Sequence, residues 1–160
     1  MQLRKELEPE EISTKRKNII EEKIKKIEEI IWQGQSAKKE VEELNDYTGH
    51  DFDKIFFHET WSFTNRETIV EIAARRPPSK VDDITKEELI EIVKRTYGEE
   101  YEEWEHNYYL RLFEANIPHP GGSDLIFWPE DNQNPTPEEI VNKALSYKRI
   151  AVKKPKQNSE

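Results

Sequence analysis

Apolar residues recur at helical spacing in several stretches of the chain, and each such stretch predicts a helix. Four isoleucines, separated by four, three and four residues, lie in the first stretch: Ile20, Ile24, Ile27 and Ile31. This spacing places them along one face of a helix, and Gly34 is its expected end. A second helix is predicted from Ala37 to Leu44, with Ser36 as its cap.

Three capping boxes, each a threonine followed three residues later by a glutamate, mark the starts of further helices. They begin at Thr64, Thr85 and Thr136. The helix predicted to begin at Thr64 is closed by two prolines at residues 77–78, and residues 77–83 are an expected linker. The second is expected to end at Gly98. The third has a proline at its first helical position, which suits the start of a helix.

The helix predicted from about Glu99 to Ala115 is strongly acidic. Six glutamates, against a single arginine, lie between residues 99 and 114: Glu99, Glu100, Glu102, Glu103, Glu105 and Glu114. Like charges on one helix repel each other unless a positive surface approaches them. The helix is therefore either a solvated face or the binding surface for a basic partner.

A short apolar run lies between Pro118 and Pro129. Ser123 is the expected N-cap of a single helical turn, with Asp124 at its positive end. Successive residues of that turn point about 100° apart, so four large apolar side chains in a row cannot all reach one core. We therefore expect part of the sequence Leu-Ile-Phe-Trp at residues 125–128 to face outward, where exposed aromatic rings favour protein binding.

Composition narrows the class of protein. Only 34% of the 160 residues are hydrophobic, 37% are charged and five are glycine, which with the helical spacing predicts an all-α protein. The net charge of −9 disfavours nucleic acid and anionic membranes as partners and favours a basic protein. Cysteine is absent, so disulfides, thiolate zinc sites and cysteine nucleophiles are excluded. With no apolar run of about 18 residues, we expect a cytoplasmic protein without a cofactor.

Two other functions fit parts of the first 80 residues. An aromatic-rich stretch at residues 52–63 favours a helical adaptor that binds a second protein through this patch. A metal hydrolase is the third hypothesis, on four residues that carry metal-ligating side chains: His50, Asp51, Asp53 and His58. The helical spacing of a zincin is missing from that set, so we expect neither a metal site nor catalytic residues.

Residues 83–152 resemble the immunity proteins of nuclease bacteriocins, the colicin and pyocin family. The resemblance rests on the capping box at Thr85, the hinge at residues 113–120, the motif GSDLIFWP at residues 122–129 and the capping box at Thr136. It implies a four-helix bundle whose third helix is a single turn. Residues 1–80 would then be a preceding charged helical region of unidentified family, and residues 153–160 a flexible tail.

The resemblance also implies a non-enzymatic function and a set of contact residues. Family members bind beside the active site of a cognate basic nuclease and block its access to DNA, and we expect a monomer before the toxin binds. The variable second helix selects the toxin, and the third supplies an aromatic anchor. The matching positions are Glu103, His106, Asn107, Leu110 and Glu114 on the second helix, and Asp124, Phe127, Trp128 and Pro129 at the third. Well-known members carry two tyrosines where this chain has Phe127 and Trp128, so the hydroxyls are lost.

Overall fold

A computed structural model describes residues 1–53, 56–57, 65–129 and 134–147, and this part of the chain is helical without β-strands. A 3-10 turn at Lys5–Leu7 precedes the α-helices. The α-helices are α1 (Thr14–Trp32), α2 (Lys38–Thr48), α3 (Arg66–Ala74), α4 (Lys86–Arg95), α5 (Glu103–Ala115), α6 (Gly122–Phe127) and α7 (Pro137–Ser146). The all-α prediction is confirmed.

Two hydrophobic clusters hold these helices together. The first cluster joins α1, α2 and α3; its fully buried members include Ile20, Ile24, Ile27, Leu44 and Ile69. The second cluster joins α4, α5, α6 and α7; it includes Leu89, Ile92, Leu112, Phe113, Leu125 and Val141. The isoleucine spacing on α1 therefore predicted the buried face correctly, although Ile31 at its end is only partly buried.

The capping boxes at Thr85 and Thr136 are confirmed, with each threonine hydroxyl accepting the N–H of the glutamate three residues on, both at 3.1 Å. The box predicted at Thr64 is wrong in register. Asn65 is the N-cap of α3, and its side chain accepts the N–H of Thr68 at 2.9 Å. An asparagine caps as well as a threonine, so the helix begins one residue later; Thr64 itself lies outside the described residues.

The ends of α1 and α2 follow their glycines. Gly34 has a φ of +77° just beyond α1, as expected. The predicted end of α2 at Leu44 is wrong, because the helix continues to Thr48 and stops at Gly49, where φ is +82°. Only glycine adopts this left-handed conformation without strain. Ser36 lies one residue before the N-cap of α2 and accepts the N–H of Lys38 at 3.4 Å, so it is not the cap.

The start of α5 is later than predicted. The backbone turns between Gly98 and Tyr101, with a hydrogen bond of 3.1 Å between them. This turn carries the Tyr101 ring onto Tyr109, with centroids 5.8 Å apart. The N–H of Glu102 then donates to the Glu105 carboxylate at 3.0 Å and opens the helix. Residues 99–102 are therefore an aromatic-anchored turn.

The first eight residues, which we call the arm, pack on the second cluster. Leu3 and Leu7 are buried among its helices. The Arg4 guanidinium donates to both carboxylate oxygens of Glu88 on α4, at 2.6 and 3.0 Å. From there the chain crosses to α1. The division into two domains, residues 1–80 and 83–152, stays a prediction. The structure adds that the arm, although it belongs to residues 1–80, packs on helices of residues 83–152.

The two clusters meet where α3 packs on α5. The buried Arg75 guanidinium lies 3.8 Å from the ring centroid of Trp104 on α5, and its Nε donates to the Glu10 carbonyl at 2.9 Å. The linker is fixed to the end of α5, because the Val81 N–H donates to the Asn116 side chain at 2.6 Å.

Among the described helices, none has the length and apolar character to cross a membrane.

Candidate partner-binding face on α5 and α6

The start and position of helix α6 are determined by Gly121, Gly122 and His119. Its N-cap is Gly121, whose N–H donates to His119 Nδ1 at 2.8 Å. The His119 ring also packs on Tyr147, with centroids 4.7 Å apart. Ser123 is therefore the second residue of the helix, and the prediction of Ser123 as N-cap is wrong. His119, between two prolines in the sequence, therefore stabilises this turn.

Gly122 brings α6 against the end of α5. A Cβ at this buried glycine would lie 3.0 Å from Glu114 Cγ and 3.1 Å from Ile117 Cδ1. Both distances are shorter than ordinary van der Waals contact, so the Glu114 and Ile117 side chains would have to shift to admit a side chain here. The absence of a side chain at residue 122 thus places α6 directly beside Glu114.

The four apolar residues of this segment divide between core and surface. Leu125 is buried, and Ile126 is partly buried against the second cluster. The side chains of Phe127 and Trp128 are 47% and 75% exposed. The helix closes with the Trp128 N–H donating to the Asp124 carbonyl at 2.8 Å. The expectation that part of this run faces outward is confirmed.

Helix α5 has three distinct faces. Tyr109, Leu112 and Phe113 are buried in the second cluster. Trp104 and Tyr108 point toward α3 and the linker, where they line cavities with Arg75. The remaining face is the one predicted to contact a partner.

On that remaining face the end positions are exposed and the middle positions are half-buried. Glu103 and Glu114 are exposed; they lie eleven helical steps apart, or about 16 Å. His106 donates from Nε2 to the Gly98 carbonyl at 2.9 Å. Asn107 borders the contact with α3, and Leu110 is half-buried. All five predicted positions share this face, and Glu114 joins it to α6; their binding of a partner stays a prediction.

The carboxylates of this surface lack local compensation. Glu103, Glu114 and Asp124 have no ion-pair partner in the described part of the chain. The single cation on α5, Arg111, lies on the side that faces α3. Pro129 follows the two exposed rings and is half-buried. The surface therefore combines exposed aromatic area with uncompensated negative charge, which complements a positive protein surface.

His50 has a structural role. Its Nε2 donates to the Arg75 carbonyl, and its ring stacks on Phe52 with centroids 4.5 Å apart. Burial lowers the pKa of His50, and the nearby Arg111 lowers it further. Asp53 accepts the N–H of Phe56 at 2.9 Å. Within the described ranges no three His, Cys, Asp or Glu side chains are grouped to hold a metal ion, and His58 lies outside those ranges.

The aromatic patch proposed at residues 52–63 is largely core where it is described. Phe52 and Phe57 are buried in the first cluster. Phe56 is partly buried and stacks on Phe52 at 4.6 Å between centroids. The fully buried Phe57 therefore cannot bind a second protein, and Phe52 and Phe56 pack mainly within the first cluster. The rest of the adaptor hypothesis stays a prediction. Trp61 and Phe63 lie outside the described residues.

Comparison with known proteins places the second cluster in a family. Residues 81–150 match the family model of colicin immunity protein / pyocin immunity protein. The chain is 44% identical over 68 residues to the uncharacterized protein YezA of Bacillus subtilis (strain 168), covering 97% of that protein and 42% of this chain. It is 27% and 26% identical over 74 residues to the pyocin-S2 and pyocin-S1 immunity proteins of Pseudomonas aeruginosa, covering 85% of each and 44% of this chain.

No solved structure matches the chain significantly. The family match begins at residue 81, so α1, α2 and α3 lie outside it. The matched region contains α4, α5, α6 and α7, which build the second cluster and carry the exposed rings. Through residues 81–150, this chain belongs to the colicin and pyocin immunity protein family.

Proposed function

We propose that this chain is a bacteriocin immunity protein that binds a cognate basic nuclease toxin and blocks the access of nucleic acid to it. It acts without catalysis, in the cytoplasm of the producing cell, and is monomeric before it meets the toxin. The proposal rests on the family of residues 81–150 and on one structural observation: the outward rings of Phe127 and Trp128.

The rings supply affinity in this proposal. Fully desolvated aromatic side chains at the centre of an interface account for most of its binding free energy. Phe127 and Trp128 follow Leu125, whose burial fixes α6 on the second cluster. The rings are therefore presented by a fixed helix, which lowers the entropy lost on binding. Trp128 keeps one hydrogen-bond donor, the indole N–H, whereas Phe127 has none.

The acidic face of α5 supplies attraction and selectivity. Glu103, Glu114 and Asp124 would lie opposite lysines and arginines that a nuclease uses to bind phosphates. Charges at the edge of an interface mainly raise the association rate and discourage wrong partners. Three side chains lie between the glutamates: His106, Asn107 and Leu110. They would contact the toxin and favour the one whose surface fits their shape.

The test needs a cognate nuclease domain, for which the neighbouring genes are the first place to search; the domain is purified and mixed with the full chain. We expect DNA or RNA cleavage to stop at an equimolar ratio, and the double variant Phe127→Ala/Trp128→Ala to lose that inhibition while keeping its helical circular dichroism. Undiminished cleavage at excess wild-type chain would refute the proposal. Inhibition that survives in the double variant would place the binding surface elsewhere.

Removal of residues 1–80 is a poor test of this function. It would take away Leu3 and Leu7 from the second cluster and Arg4 from Glu88. A loss of protection in the truncated chain would then report unfolding. Surface substitutions on α5 and α6 leave these contacts intact and separate binding from folding.

A further inference from the structure

Trp32 is the most exposed large apolar side chain in the described ranges, at 91%. It is the last residue of α1, and it follows the isoleucine face without joining it. Tryptophan is well buried on average in folded proteins, and it is enriched where proteins bind each other. The sequence signal was available: a tryptophan outside the apolar spacing, two residues before the glycine that ends the helix.

A groove of about 370 Å³ is lined by Ile31, the residue before Trp32, although Trp32 itself does not line it. It lies between the end of α1, the start of α2 and residues 51–53. Four apolar side chains line it: Ile31, Ala37, Val41 and Phe52. Its volume is near the lower end of the range for ligand pockets, which suits one or two side chains rather than a whole ligand.

The shape of the groove is held by the Asn45 side chain. Its oxygen accepts the Phe52 N–H at 2.8 Å, and its nitrogen donates to the Phe52 carbonyl at 2.9 Å. This pair of bonds ties residues 51–53 to the middle of α2. The groove is therefore preformed, and a segment that binds in it would not have to order residues 51–53.

The rim of the groove is acidic. Glu42, Asp51 and Asp53 line it against a single cation, Lys38. Glu42 and Asp51 have no hydrogen-bond or ion-pair partner among the described side chains, whereas one oxygen of the Asp53 carboxylate accepts a hydrogen bond from the Phe56 N–H. Unpaired carboxylates around an apolar floor complement a positive segment with an apolar side chain.

We propose that the α1–α2 groove and Trp32 form a second docking surface, for a lysine- or arginine-rich segment of another protein. An apolar side chain of that segment enters the groove beside Trp32, and its cations face Glu42 and Asp51. The lining residues all lie in α1, in the loop that joins it to α2, in α2 or in residues 51–53, so this surface is separate from the face on α5 and α6. It does not depend on the proposed toxin binding.

The test titrates the full ¹⁵N-labelled chain with the peptide acetyl-Lys-Lys-Phe-Lys-Lys-amide and follows the backbone amide signals. We expect the largest shifts at the amides of Ile31, Val41 and Asp51. A peptide with serine in place of phenylalanine should bind at least about fivefold more weakly, since the apolar contact is lost. Trp32→Ala should weaken the phenylalanine peptide similarly, and its exposure means that the fold is kept.

A matched pair of variants separates this site from general attraction to an acidic protein. Glu42 and Glu43 are adjacent and exposed, but only Glu42 lines the groove. Glu42→Gln should weaken the peptide, and Glu43→Gln should leave its affinity unchanged. Equal effects, or equal binding of the serine peptide, would overturn the proposal, as would shifts confined to α5 and α6.

Two other occupants would also overturn it. Shifts at the same amides that grow with protein concentration, without peptide, would identify a second copy of the chain. Shifts that follow deletion of residues 148–160 would identify the chain's own basic tail. Neither change is expected, and both are read from the same spectra.

Discussion

The arm and α6 both pack on the second cluster, yet they place their apolar side chains in opposite ways. In the arm, Leu3 and Leu7 are buried. In α6, Phe127 and Trp128 remain outside although Leu125 is inside. The local backbone explains the difference. Leu3 precedes the 3-10 turn and Leu7 ends it, so the two side chains do not share one helical turn, whereas consecutive helical residues point in different directions. Large apolar side chains are thus all core in the arm and divided between core and surface in the α6 segment.

The largest expected effect is on the stability conferred by the arm. Leu7→Ala should lower the free energy of unfolding by about 2–4 kcal/mol, because it removes a fully buried side chain and leaves a cavity. Denaturation by urea, followed by circular dichroism, measures this. Phe127→Ala is the matched change on α6 and should cost less than about 1 kcal/mol. If the two variants are equally destabilised, Phe127 belongs to the core as well.

The second-largest expected effect is on partner binding, and it comes from the α6 segment rather than from the arm. Trp128→Ala should weaken binding of the cognate nuclease by about 2 kcal/mol or more, since the ring would be lost from the centre of the interface. Calorimetric titration with the nuclease domain measures the change. Leu145→Ala removes another exposed apolar side chain, on α7, and should leave affinity unchanged. Equal losses in both variants would mean that exposure alone does not identify the anchor.

Local signals in the sequence were sufficient for most of the helices. The isoleucines of α1 and the boxes at Thr85 and Thr136 each satisfy a requirement within one helix, so reading the chain locally predicts them. The outward rings on α6 followed from the same geometry. The errors at Ser36, Thr64 and Ser123 are shifts of a cap by one or two residues, where neighbouring residues compete for the same role.

Long-range contacts could not be predicted in this way. Nothing near Leu3 or Leu7 indicates that they pack on helices more than 80 residues away. The contact of Arg75 with Trp104 likewise depends on how α3 meets α5. The aromatic stretch near Phe52 was interpreted as a binding patch, whereas the folded first cluster buries Phe52 and Phe57. Pattern predicts which face of a helix is apolar, but not which element covers it.

A third, smaller effect concerns the rate of association. Glu114→Lys should slow binding of the basic nuclease about three- to tenfold at low salt, because the variant removes attraction beside α6. The difference should shrink as salt screens the charges. Stopped-flow fluorescence measures the rates. Glu43→Lys changes the net charge equally on a distant exposed position of α2, and a slowing as large as that of Glu114→Lys would assign the effect to net charge rather than to this face.

The smallest effect tests how the arm is attached. The Arg4 guanidinium, hydrogen-bonded to the buried Glu88 carboxylate, holds the pKa of Glu88 below its usual range. A lowered folded-state pKa gives stability that is present above the unfolded-state pKa, about 4.5, and is lost as pH falls through the folded-state value. Arg4→Gln should therefore raise the pKa of Glu88 and move acid unfolding to higher pH. Lys94→Gln, an exposed cation on α4, is the control of equal charge.

His50 allows the Glu88 contribution to be recognised within the same pH titration. Burial lowers the pKa of His50, so the unfolded chain takes up a proton first as pH falls below about 6.5 and stability declines there too. That decline comes from the first cluster and should be the same with or without Arg4. Only the part below pH of about 4.5 should respond to Arg4→Gln. A shift that began near pH 6.5 instead would mean that Arg4 supports the contact between the two clusters rather than the seat of the arm on α4.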